Sequence, residues 1–133
     1  MAIPGEKAIQ MVRSAHTQAA QLDIAVTAVV VDQSGRMIAL WRMDKARPIT
    51  VEIALNKAYT AASFQQPTKD LAGMANQAWF QSLVVSSNGK VMPGGGALPI
   101  AEGGSIVGAI SVSGGTEDQD QKCAEVALAA YQG

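Results

Sequence analysis

Apolar positions recur at three- and four-residue steps from Pro4 to Leu22, through Ile9, Val12, Ala15, Ala19 and Leu22. That spacing predicts an amphipathic helix. Pro4 suits its first turn, where a missing N–H costs nothing. Ile24–Asp32 (IAVTAVVVD) is nearly continuous in apolar residues and rich in valine, which predicts a strand buried on both faces. Gln33-Ser34-Gly35 reads as a turn, and Met37–Met43 as the second strand of a hairpin. Strict alternation there sends Ile38, Leu40 and Arg42 to one face and Met37, Ala39, Trp41 and Met43 to the other. Thr50 reads as the N-cap of a helix to about Phe64, with Glu52 complementing its dipole. Thr68 caps a shorter helix, Lys69 to about Ala75. Asn76–Ser87 is the most ambiguous stretch. It reads as a helical turn holding Trp79 and Phe80, then an irregular or strand-like piece at Leu83–Val85.

Nine of the 13 glycines fall between Gly89 and Gly115. Lys90–Met92 begins a return of the sheet into this stretch. The apolar runs Ala97–Ala101 and Ile106–Val112 read as strands joined by Glu102-Gly103-Gly104-Ser105, where glycine supplies the positive φ of a tight turn. Gly94-Gly95-Gly96 has two readings: a bulged sheet edge, or a pocket wall with exposed amides. After Gly115, Thr116 and Gln119 have capping-box spacing. A final helix to about Tyr131 follows, with Cys123, Val126, Ala127 and Ala130 as its inward stripe. The order helix, two strands, helices, three short strands, helix gives an α+β domain over residues 1–133. Its sheet is mostly antiparallel, with about five strands flanked by helices.

The chain is 48% hydrophobic and only 16% charged. So low a charge fraction points to surface covered by copies of the same chain. The net charge of −1 and an aromatic content of 5% leave little for phosphate-backbone binding or base stacking, so nucleic acid is excluded as a partner. No apolar run reaches the roughly 18–20 residues that span a bilayer. The N-terminus lacks a basic segment followed by an apolar core. A cytoplasmic protein without membrane contact is therefore expected. One cysteine, Cys123, permits no intrachain disulfide.

Motifs of high specificity for catalysis are missing. One histidine and one cysteine exclude a multi-residue His/Cys zinc site within the chain, and no G-x-S-x-G elbow supports a serine hydrolase. His16 lies one position from the apolar stripe of the first helix. It is either a histidine bonded to a neighbour or a single axial ligand for haem iron. Met11, Met37, Met43, Met74 and Met92 either fill core gaps or line such a pocket. Lys57 either snorkels to water or aims a cation into a pocket.

VVVDQSGRMIALWRMDKA (Val29–Ala46), NKAYTA (Asn56–Ala61), PTKDL (Pro67–Leu71) and GGALPIAEGGSIVGAISVSGG (Gly95–Gly115) together resemble the GlcG/HbpS haem-binding-like family. That family includes the C-terminal domain of PduO-type proteins. The resemblance covers roughly residues 5–131 and implies a profilin- or roadblock-like fold. It also implies homo-oligomers (dimers or higher, including hexamers and octamers), haem binding and a link to catabolic operons. Some PduO-type domains ligate haem through a histidine in the first helix, the element that holds His16. Three positions depart from the family pattern: Lys45 stands where glycine is usual, the Gly94–Ile100 run is longer, and Ser111 replaces a glycine.

Three functional readings remain open. In the first, His16 and Gly94, Gly95 and Gly96 bind haem or a related tetrapyrrole, with His16 on the iron. In the second, a small catabolic enzyme acts on an acidic or aromatic-degradation intermediate. There Arg42 or Lys57 holds a carboxylate, the Gly94–Gly96 amides stabilise an oxyanion, and Asp44 or Glu102 is the base. The third is a ligand-free oligomeric scaffold.

Overall fold

The computed structural model describes residues 2–132. Helix α1 (Gly5–Gln21) begins at Pro4, whose carbonyl accepts the Ala8 N–H at 3.0 Å. Its buried residues are Ala8, Met11, Val12, Ala15, His16 and Ala19, one continuous stripe at helical spacing. The helix stops at Asp23, which takes a left-handed φ of 58°. The Asp23 N–H bonds Ala20 O and the Ile24 N–H bonds Ala19 O, the two bonds of a Schellman termination.

Strands β1 (Thr27–Asp32), β2 (Met37–Arg42), β3 (Ala97–Glu102) and β4 (Ser105–Ser113) form one antiparallel sheet in the order β2-β1-β4-β3. Two local hairpins are thus joined through the central β1–β4 pair. β1 is buried on both faces, as its valine run demands. Ala28 and Val30 pack with Ile110, Val112 and α1 on one side, and Val29 and Val31 pack with Ala109 on the other. The register shifts between Val30 and Val31, a bulge. It brings Ile38 and Ala39 to the same core, against the strict alternation expected for β2, while Leu40 packs on the opposite side.

Helix α2 (Ile49–Phe64) lies on the second face through Ala54, Ala58, Ala61 and Ala62. Thr50 is not its N-cap. Pro48 holds that position, and the Thr50 hydroxyl turns inward to Arg47 O at 2.6 Å and Thr27 Oγ1 at 2.8 Å. Thr68–Met74 forms a 3-10 helix rather than an α-helix, with Pro67 before it. Helix α3 (Ala78–Ser86) runs straight through the expected strand-like piece. Phe80, Leu83 and Val84 sit at i, i+3 and i+4 and pack with Leu71 and Val91, so tertiary burial overrides the β-branched preference of Val84.

Among the described residues the sheet has four strands, not five. Lys90–Met92 joins α2 instead of a ladder. Thr60 Oγ1 accepts the Met92 N–H at 2.8 Å, and its one proton is shared between Asn56 O at 2.7 Å and Lys90 O at 3.0 Å. The β3–β4 turn falls at Gly103 and Gly104, both with positive φ. Helix α4 (Glu117–Gln132) has the expected capping box. The Gln119 N–H bonds Thr116 Oγ1 at 3.1 Å, and the Thr116 N–H bonds Gln119 Oε1 at 2.9 Å. Its buried face is Asp120, Gln121, Cys123, Ala124 and Ala127. Ala130 is exposed and Val126 only half-buried, so Ala124 takes the place expected for them. Helices α1 and α4 pack together on the Ala28–Val30 face.

Candidate functional site

The C-terminal half of α1, its closing turn and the end of edge strand β2 enclose a cleft of about 510 Å³. Ala20, Ile24, Ala25, Trp41 and Met43 supply its apolar wall. Asp23, Asp44 and Lys45 bring charge to it. The left-handed Asp23 turn makes this shape, because it ends α1 abruptly and sends the chain straight into β1. Met43 is fixed by its own sulfur, which accepts the Val26 N–H at 3.2 Å.

His16 lines the cleft from the buried stripe of α1. Its Nε2 lies 2.8 Å from the Trp41 carbonyl oxygen. A carbonyl only accepts, so Nε2 carries the proton and donates. The lone pair of the neutral ring is then on Nδ1. The two rings are 4.5 Å apart, tilted by 37°, within the aromatic contact range. The Arg13 guanidinium lies 5.5 Å from the Trp41 ring centroid, a cation–π distance. Burial pushes the His16 pKa below its ordinary value, and the Trp41 carbonyl opposes that shift. The imidazole is neutral at pH 7.

At the opposite edge of the sheet, Lys57 on α2 is 7% exposed and donates from Nζ to Gly95 O at 2.7 Å. The glycine run is enclosed. The Gly94 N–H bonds Thr68 O at 3.1 Å, the Gly95 N–H bonds Glu117 Oε1 at 2.8 Å, and the Gly96 N–H bonds Gln121 Oε1 at 3.2 Å. Gly96 has φ +129°, and a Cβ there would stand 2.7 Å from Val112 O. The run therefore serves close approach of backbone to backbone. Asp120, 3% exposed, accepts the Gly115 N–H at 2.8 Å. Burial raises its pKa, and bonding to Gly115 and the charge of Lys57 lower it.

The structure therefore distributes the sequence-derived candidates. His16 and Asp44 border one cleft, with exposed Arg42 next to it in the chain. Lys57, Gly94, Gly95 and Gly96 form a separate network at the β3 side. Glu102, at the end of β3, accepts the Tyr131 hydroxyl at 2.7 Å, which raises the tyrosine's pKa. Three strand spacings, about 14 Å at 4.8 Å each, separate the β2 and β3 edges. Within one chain, Arg42 and Lys57 do not meet, and the glycine amides are already bonded. No group of three or more His, Cys, Asp or Glu that could hold a metal ion occurs among the described residues.

Sequence reasoning missed Trp41 as the partner of His16, and Asp120 beneath Lys57. A signal for the first existed: alternation placed Trp41 on the Ala39 and Met43 side, which faces α1. For Asp120 the signal was hidden, since an acidic residue in a first helical turn is explained by the dipole alone.

A family model described as "Haem degrading protein HbpS-like" matches residues 3–129. An uncharacterized 15.0 kDa protein in the dhaT-dhaS intergenic region of Citrobacter freundii is 34% identical over 120 residues, 90% of this chain and 84% of that protein. Protein GlcG of Escherichia coli strain K12 is 32% identical over 111 residues, 81% of this chain and 78% of that protein. The corrinoid adenosyltransferase PduO of Citrobacter freundii is 31% identical over 131 residues, but the chain spans only 39% of its length. A crystal structure of a PduOC:heme complex superposes with a TM-score of 0.91 at 31% identity, over 98% of this chain and 95% of that one. The crystal structure of HbpS gives 0.87 at 29% identity, over 97% of this chain and 89% of that one.

Proposed function

The chain belongs to the family of HbpS-like haem degrading proteins, and from that premise we propose that it binds haem or a related tetrapyrrole in the cleft beneath Trp41, with His16 as the iron ligand. The observation that carries the reading is a single neutral imidazole facing an apolar cleft of about 510 Å³, a size in the range of small-ligand sites. The residues present fit the group. Ala20, Ile24, Ala25 and Met43 offer apolar contact to a macrocycle, and Trp41 offers an aromatic face. Lys45 is the lining cation for the ligand's carboxylates, and Asp23 and Asp44 repel those groups from their own side. When bound, haem supplies an iron centre whose electronics follow from its axial ligand.

Hemin titration tests the reading. The wild type is expected to show a Soret shift that His16→Ala weakens. Equal spectra for the two proteins would remove His16 from the role, and no thermal stabilisation by hemin would remove the ligand, since a ligand of the native state must raise stability.

The protein also assembles as a homo-oligomer in this reading. Residues 71–89 carry no charge, and Trp79 and Val85 on α3 are 52% and 77% exposed. Light scattering after size exclusion should give more than one subunit mass of 13.8 kDa. A single-subunit mass that persists as concentration rises would refute it.

A further inference from the structure

We propose that Trp41 is a latch on His16: its carbonyl and indole hold the imidazole in a state that must be released before iron can be ligated through Nε2. The proposal rests on the haem reading above and concerns how that site is opened.

The Trp41 carbonyl fixes the proton on Nε2. The alternative tautomer would set an Nε2 lone pair against a carbonyl lone pair at 2.8 Å, which is repulsive. The Trp41 contact and an iron bond at Nε2 are therefore mutually exclusive. Ligation at Nδ1 is the one route that keeps the contact, and it places the metal beside the ring's own attachment carbon, against the helix.

The indole adds a second hold. It lies 4.5 Å from the imidazole, and Arg13, three residues before His16 on α1, lies 5.5 Å from its centroid. Trp41 is nonetheless 47% exposed and sits on an edge strand next to a cleft wall. Its ring has room to move outward without disturbing the core. Trp41 is thus a positioning residue that acts through His16. Its backbone carbonyl sets the tautomer, and its side chain sets how readily the imidazole leaves.

Two measurements test this. Imidazole ¹⁵N spectra of the ligand-free protein should show Nε2 protonated. With zinc protoporphyrin, a diamagnetic probe, they should show Nε2 coordinated and Nδ1 protonated. Stopped-flow Soret traces with hemin should show Trp41→Ala binding faster than wild type by roughly two- to tenfold, the range an aromatic contact supplies. Trp41→Phe, which keeps a ring over the imidazole, should fall back toward the wild-type rate.

Ligation through Nδ1 with the Nε2 proton retained would overturn the latch. So would a ligand-free protein protonated at Nδ1, or a Trp41→Ala association rate equal to wild type with faster dissociation, which would make Trp41 a wall only. If neither wild type nor Trp41→Ala gives a Soret shift, the haem reading fails and the latch falls with it. A normal shift that His16→Ala abolishes, with equal association rates for wild type and Trp41→Ala, refutes the latch alone.

Discussion

Replacing Lys57 by methionine separates the two edges of the sheet experimentally. Methionine keeps the length and apolar stem of the side chain, so little cavity forms. What is lost is the bond from Nζ to Gly95 O at 2.7 Å. A hydrogen bond from a charged donor contributes about 1.5–3 kcal/mol. With a urea m-value near 1.5 kcal/mol/M, that lowers the midpoint by about 1–2 M. The loss should also depend on pH. Burial holds the Asp120 carboxyl above its ordinary pKa, and Lys57 limits that rise. A raised carboxylate contributes stability that is complete below its unfolded pKa and is lost as pH rises through its folded one. Without Lys57 the folded value moves higher and the loss grows, so Lys57→Met should cost more stability at pH 8 than at pH 4. In an Asp120→Asn background the difference between the two pH values should vanish. Hemin titration should be unchanged, because the cleft lies at the other edge. Urea melts at the two pH values, at one protein concentration, are the assay. A midpoint within 0.3 M of wild type at both, roughly 0.5 kcal/mol by the same m-value, or a larger loss in acid, would refute the reasoning.

Ser111 Oγ is a buried side-chain oxygen without a hydrogen-bond partner, so Ser111→Ala should raise stability by about 1 kcal/mol; a lower urea midpoint would mean that the hydroxyl has a partner after all. Thr60→Val leaves Lys90 O and the Met92 N–H without the Thr60 hydroxyl. It should lower stability by about 1–3 kcal/mol and speed amide exchange at Met92, and unchanged exchange there would show that Thr60 does not hold the segment. The His16 pKa is depressed, so its contribution is present above the unfolded histidine value and lost as pH falls through the folded one. Between pH 7.5 and 5 the wild type should lose more stability than His16→Gln, and parallel melts would contradict the assigned burial.

The legible parts of the fold were those with a single dominant signal. The α1 stripe, the valine run of β1 and the Thr116–Gln119 box each state their structure locally. The failures came where a distant partner decides. Lys90–Met92 has the length and composition of a strand, but Thr60 captures it. Leu83–Val85 has β-branched residues, but Leu71 and Val91 supply a core that only a helix can face. Thr50 has the chemistry of a cap and is used as a buried hydrogen-bond partner of Thr27. The candidate site followed the same rule. His16 was visible as the lone histidine, and alternation put the Trp41 ring on its side of β2, but the hydrogen-bond acceptor is a backbone carbonyl, a group every residue possesses. No side-chain pattern announces which carbonyl will be chosen. The Gly94–Gly96 run reads from sequence as a bulged edge or a wall of exposed amides, and its composition could not show that Thr68, Glu117 and Gln121 take those amides.

Pro4 at the start of α1 and Gln132 at the end of α4 border one small cleft beside the β3–β4 turn. The two ends of the fold therefore emerge side by side. A further domain attached before α1 or after α4 would leave from almost the same point. Such geometry makes the fold a plug-in module: it can be strung into a longer polypeptide, or its ends tied and the ring reopened elsewhere, without redrawing the core. In the PduO relative, the matched segment is 39% of a longer chain, which is how such a module would be used.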